Sequence, residues 1–170
     1  MFDDVEKLPV YQKAKEILIL AEHICEALKD DDQREHIEHQ ILSNAMMIGS
    51  RIAGAVGCDA YSLKMENVIK IKFAIKEMFE GVLFAHLINI NHNDYVTLMR
   101  NAVEEFRIIF IAWIRTFDVT NDYKDDWSIR YVIDTTDDYE VKMVSEEGKD
   151  YNDDDDGPDT DWFDLDDDDL

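Results

Sequence analysis

Apolar residues recur at three- and four-residue steps along the first two thirds of the chain. Val10, Ala14, Ile17, Leu18, Ala21, Ile24, Cys25 and Leu28 form one stripe over 9–29. That period is the signature of a helix with one buried face. Pro9 suits the first helical position, where no backbone N–H is needed. Asp30, Asp31 and Asp32 end this helix, and their charge favours the start of the next one. A second stripe, Ile37, Ile41, Ala45, Ile48, Ile52 and Val56, predicts a helix over 33–56. Gly49 and Gly54 interrupt it at a cost of about 1 kcal/mol each against Ala. Close approach of a neighbouring helix is the usual compensation, and Gly57 reads as a stop.

A third helix is expected from Asp59 or Ser62, either of which can cap it, to Asn89. It is apolar on more than one face. Ile71, Ile75, Met78, Val82 and Ala85 make one stripe, and Ile69, Phe73, Phe79, Leu83, Leu87 and Ile90 widen it. Asn91, His92, Asn93 and Asp94 form a polar turn rich in capping residues. A fourth helix over 95–117 turns Met99, Ala102, Phe106, Ile109, Trp113 and Phe117 inward. Phe110, Ile111 and Ile114 are left over. Short connections make neighbours antiparallel. The expected fold is therefore all-α, an up-down four-helix bundle over residues 1–117. A bundle helix needs roughly a 3/7 apolar face, and the third and fourth helices exceed it. Phe73, Phe79, Leu83, Leu87, Phe110 and Ile114 are assigned to an oligomer surface on that surplus.

Beyond Phe117 the pattern changes. Residues 127–133 and 139–144 alternate with period two, which predicts a β-hairpin within a linker over 118–144. Residues 145–170 carry too little apolar area to offset their ordering entropy and are expected to be a disordered acidic tail. Charge sharpens this division. Residues 1–117 hold 13 Lys and Arg against 18 Asp and Glu, a net −5. Residues 118–170 hold 4 against 22, a net −18. Such asymmetry marks an interaction tail or a solubilising one. Trp162, Phe163, Leu165 and the terminal Leu170 lie among the acids. Aromatic anchors with acidic neighbours suit a partner groove, the acids giving on-rate.

The span 8–117 resembles the bacterial four-helix-bundle family first noticed as proteins encoded in 23S rRNA intervening sequences. That family includes the Avd-type accessory proteins of diversity-generating retroelements. The residues that carry the resemblance are LPVYQKAKEIL at the first helix and SRIAGAVG (50–57) at the end of the second. FAIKE (73–77) and EEFRIIFIAWIR (104–115) add to it. The resemblance implies a bundle assembled as an oligomer, often a pentamer, with no catalytic residues. In the Avd branch it implies binding to a reverse transcriptase and to nucleic acid.

Candidate chemistry is sparse. EHIEH (35–39) places His36 and His39 on one face, but metal-binding bundles pair Glu-x-x-His motifs with further glutamates. Ile37 and Ile41 take the inward face, which leaves both histidines to solvent. Asn152, Asp154, Asp156 and Gly157 resemble the front of an EF-hand loop, yet position twelve is Phe163 where a bidentate Glu is needed. GSRIAGAVG lacks the lysine of a phosphate loop. Lys64, Lys70, Lys72 and Lys76 cluster in sequence and, with Lys13 and Lys15, form a candidate patch for an anionic partner. Cys25 and Cys58 read as reduced, packed thiols.

No run of 18 apolar residues is present, so no membrane span is expected. The acidic N-terminus lacks the apolar core of a signal peptide, which points to the cytoplasm. The sequence reading is a non-enzymatic oligomeric adaptor without cofactor or metal, in a nucleic-acid-related system, with a protein partner for the tail. Direct nucleic-acid binding is implied by the resemblance, and the net charge counts against it. The alternative is an acidic nucleic-acid mimic that covers a basic surface of another protein.

Overall fold

The computed structural model describes residues 5–122. It has four helices: α1 (Pro9–Ala27), α2 (Arg34–Val56), α3 (Tyr61–Leu87) and α4 (Asn93–Ile114). Among the described residues there is no strand. Each helix packs on its sequence neighbours, and α4 returns to pack on α1. The result is the expected four-helix bundle, with α1 opposite α3 and α2 opposite α4. The predicted hairpin at 127–144 and the acidic run at 145–170 lie outside the described residues.

The core is where the stripes place it. Ile17, Ile24, Ile37, Ile41, Ile48, Ile52, Ile71, Met78, Met99 and Phe106 are fully buried. Each such side chain contributes about 1.5–3 kcal/mol relative to exposure. On α4 the inward frame differs from the sequence reading. Val96, Met99, Val103, Phe106 and Phe110 are buried, whereas Ala102, Ile109 and Trp113 are only partly covered. Met99 and Phe106 belong to both frames. Two ways of stepping by three and four between them are open, and packing against α1 and α3 selects the one through Val103.

The α2–α3 pair is the most intimate in the bundle. Gly81 explains it: a Cβ there would stand 2.9 Å from Cγ1 of Ile41. Gly54 faces the Asn67 side chain at 3.1 Å, and Gly49 lies 3.6 Å from the Tyr11 ring. Gly57 caps α2 in ordinary right-handed geometry, not in the left-handed conformation that favours glycine.

The caps show one correction. Neither Asp59 nor Ser62 caps α3. The N-cap is Ala60, which has no side chain able to accept a bond, and Ser62 is already inside the helix. Its cap comes from the far side of α4. The other end of α3 closes locally. Asn89 takes φ 62°, the Ile90 N–H bonds to the Ala85 carbonyl at 3.0 Å, and the Asn89 N–H bonds to His86 at 2.9 Å. This pair of bonds is a Schellman motif with Asn in the left-handed position. The His92 side chain accepts from the Asp94 N–H to start α4.

Candidate functional site

The structure divides the six residues that the sequence places on an oligomer surface. Phe79 is 3% exposed and Phe110 is 8% exposed, so both belong to the bundle's own core. Phe79 lies under the guanidinium of Arg100, 6.0 Å from ring centre to Cζ. Phe110 stacks on Phe106 at 5.2 Å. Leu83 and Ile114 are half-buried. Phe73 and Leu87 remain outside at 56% and 48%, and Phe84, which the sequence reading passed over, joins them at 44%. Residues 73, 84 and 87 fall on one side of α3 at 3.6 residues per turn. The surplus apolar surface on α3 and α4 is narrower than the pattern suggested, and exposed large apolar residues also occur on α1 and α2, at Ile19, Met46 and Met47.

Ion pairs share this side of α3, and the Lys76–Glu80 pair falls between Phe73 and Phe84. Lys70 meets Glu66 at 3.9 Å and Lys76 meets Glu80 at 3.8 Å, both across one helical turn. Large apolar groups interleaved with paired charges suit contact with another protein surface. Apolar groups supply the driving force there, and exposed i,i+4 pairs add only a few tenths of a kcal/mol, about 0.3–0.5.

The lysine patch does not assemble. Lys70 and Lys72 project about 200° apart around α3 at 3.6 residues per turn. Lys13 and Lys15 sit on α1, on the opposite side of the bundle. Most of the lysines are also engaged. Lys13 is held by Glu16 at 2.8 Å and by Glu105 of α4. These carboxylates, Glu105 first, raise the Lys13 ammonium above its usual range. Lys64 lies over the Phe117 ring at 5.2 Å. Lys15 and Lys72 are exposed.

One end of the bundle has a shallow, open depression of about 590 Å³ between the end of α1 and the start of α4. Lys29, His92, Asp94, Tyr95 and Leu98 border it. His92 Nδ1 lies 3.2 Å from Asp94 Oδ2, and both side chains are largely exposed. The border offers neither a nucleophile next to a base nor an enclosed volume. His36 and His39 lie on the solvent side of α2, as their spacing predicts. Among the described residues no three His, Cys, Asp or Glu side chains converge on a metal position, and no helix is long and apolar enough to cross a membrane.

The opposite end is more elaborate, and sequence reasoning missed it. An aromatic series runs out of the core along α4. Phe110 and Trp113 are 5.9 Å apart, and Trp113 meets Phe117 edge-on at 4.8 Å. Phe117 is buried. The chain then turns on Asp118, whose carboxylate accepts from the Thr120 N–H at 2.9 Å and its hydroxyl at 2.7 Å. Those bonds lower the Asp118 pKa. Residues 121 and 122 reach the start of α3. The Tyr61 N–H bonds to the Asn121 carbonyl at 2.7 Å. The Ser62 N–H and hydroxyl both donate to Asp122 Oδ1, at 3.1 and 2.6 Å. The packed unit thus continues past Phe117, where the helical pattern ends. The tail anchors Trp162, Phe163, Leu165 and Leu170 lie outside the described residues. No protein-family model and no curated protein matches the chain.

Proposed function

We propose that the chain is a non-enzymatic adaptor that works as a homo-oligomer, its bundles joined through the outer face of α3. The observation that carries this reading is the exposure of Phe73, Phe84 and Leu87 on one side of a single helix. A second copy is the occupant we favour, because the resemblance noted in the sequence is to bundles that assemble with themselves. That same resemblance supports a nucleic-acid-related setting, such as service to a reverse transcriptase. The scattered and paired lysines favour a protein partner over direct contact with nucleic acid. The acidic tail over 145–170, with its anchors Trp162, Phe163, Leu165 and Leu170, is proposed as the segment that meets that partner or restrains the adaptor.

The test is light scattering on the full chain. An assembly of several 19.9 kDa chains is expected. Phe73→Glu with Phe84→Glu should reduce it to single chains with unchanged helical circular dichroism. A wild-type monomer at tens of micromolar would refute self-assembly. The charge asymmetry favours one second reading, an acidic mimic that occupies a basic surface of another protein. In that case binding of the full chain to a basic nucleic-acid-binding protein should weaken steeply with salt and be lost when DNA is added.

A further inference from the structure

The first N–H groups of a helix have no acceptor within the helix and are normally met by a local side chain. α3 has no such side chain, because its N-cap is Ala60. Its first two amides bond instead to Asn121 and Asp122, sixty residues later in the chain. The Asp122 carboxylate also accepts a hydrogen bond from the Ser62 hydroxyl and sits at the positive end of the α3 dipole. The segment is shaped for this task. Phe117 anchors its start beneath Lys64, and the Asp118 turn aims Asn121 and Asp122 at α3.

A second observation bears on the balance of this arrangement. Tyr61, the first residue of α3, is buried, and its hydroxyl has no hydrogen-bond partner among the described residues. A buried polar group without a partner costs free energy that water would restore. The first turn of α3 therefore gains a carboxylate cap when closed and recovers hydration of Tyr61 when open. Its closure depends on groups from outside the helix.

We propose that residues 118–122 are a releasable strap. When closed, it holds the first turn of α3. When drawn away, that turn unwinds while the remaining helices stay packed. The chain continues from Asp122 into the acidic C-terminal residues, so a pull that reaches Asp122 acts on the bonds to Ser62 and Tyr61. The strap thereby links whatever engages the chain beyond 122 to the helix that carries Phe73, Phe84 and Leu87. This link does not require the oligomer reading.

Amide hydrogen exchange on the full chain tests it. In Asp122→Ala, the amides at the start of α3 should exchange about tenfold faster or more, the size expected for losing a bond to a charged acceptor. Interior amides of α1, α2 and α4 should stay within about twofold. Ser62→Ala should give a smaller acceleration at the same amides, and Ser62→Thr should restore most of it. Asp118→Ala alters only an exposed turn and provides the same local readout should Asp122→Ala fold poorly. Unchanged exchange at the start of α3 in Asp122→Ala and Asp118→Ala overturns the strap. Equal acceleration in all four helices overturns it too, because the segment would then support the fold as a whole.

Discussion

Gly81 is the point at which the α2–α3 spacing is set, and replacing it with alanine measures how tightly. In a helix interior Gly→Ala is worth about 1 kcal/mol in favour of the helix. Here the new methyl group would sit 2.9 Å from Ile41 Cγ1 and 3.5 Å from Gln40 Cδ. Gln40 can swing outward. Ile41 is fully buried and stiff at χ1 because it is β-branched. Overpacking of this kind costs about 1–3 kcal/mol, so Gly81→Ala should destabilise the protein by about 1 kcal/mol net. Ile41→Ala removes the opposing atom, at a cost of about 2–5 kcal/mol on its own. In that background Gly81→Ala should stabilise by about 1 kcal/mol, because only the propensity gain remains. The two changes are thus coupled by about 2 kcal/mol, against the ~0.3–0.5 kcal/mol of independent sites. Urea unfolding of the four proteins, with the m-value checked for constancy, measures this coupling. Additive effects, or a stabilising Gly81→Ala in the wild type, would refute the close approach. The other two glycines calibrate the scale. Gly49→Ala meets only an ordinary contact with Tyr11 and should stabilise by about 1 kcal/mol. Gly54→Ala presses on the Asn67 amide oxygen, which can turn aside, and should be close to neutral.

Asn89 holds a left-handed backbone, so Asn89→Gly should stabilise by a few tenths of a kcal/mol to ~1 and Asn89→Ala should destabilise by a similar amount, both read as shifts in Tm. Phe106→Ala empties a fully buried site and should cost about 3–5 kcal/mol in denaturant unfolding. Burial pushes the Cys25 thiol up to about 12. Native protein should therefore be alkylated at Cys58 at pH 8, with Cys25 modified only on unfolding, as peptide mass mapping would show. The sign for stability follows from the same shift. The unfolded thiol ionises near 9 while the native one stays protonated, so the Cys25 contribution is full below pH 9 and falls between pH 9 and 12. Cys25→Ala should flatten that part of the urea-stability profile. A Cys25 that reacts as fast as Cys58 in native protein would contradict its burial.

The parts of the fold legible in the sequence are those set by short-range periodicity. Every member of the Val10–Ala14–Ile17–Leu18–Ala21–Ile24–Cys25–Leu28 stripe is buried except Leu18, which is half-buried, because an isolated stripe with polar flanks can face only one way. α3 and α4 were harder for the converse reason. With apolar residues on several sides, the pattern admits more than one inward frame, and only the neighbouring helices decide. That is why Phe79 and Phe110, surplus in the sequence pattern, lie inside, and why Phe84 lies outside without a signal in the pattern. The α3 cap was illegible for another reason. Asp59 and Ser62 carry the local signal for an N-cap, and the acceptor in use is Asp122. A bond between residues sixty apart leaves no periodic trace. The lysines show the same limit: neighbours in sequence on α3 point to different sides, and α1 faces away from them.

The return of α4 onto α1 has a thermodynamic consequence. In an open row of helices the outermost one has a single neighbour and can detach at modest cost. Here each helix has two, so removing any one uncovers apolar surface on both sides of the gap. α1 and α4 are therefore held on two sides, although less extensively than α2 and α3 hold each other, and the core should melt in one cooperative step. The closed circuit also brings the start of α1 and the end of α4 to the same end of the bundle. A chain reopened at the exposed Asp30–Asp32 connection, with Ile114 joined by a short linker to Pro9, should keep the core. It would lose Val5 and Phe117 from the edge of the core, together with the strap and the acidic residues beyond it.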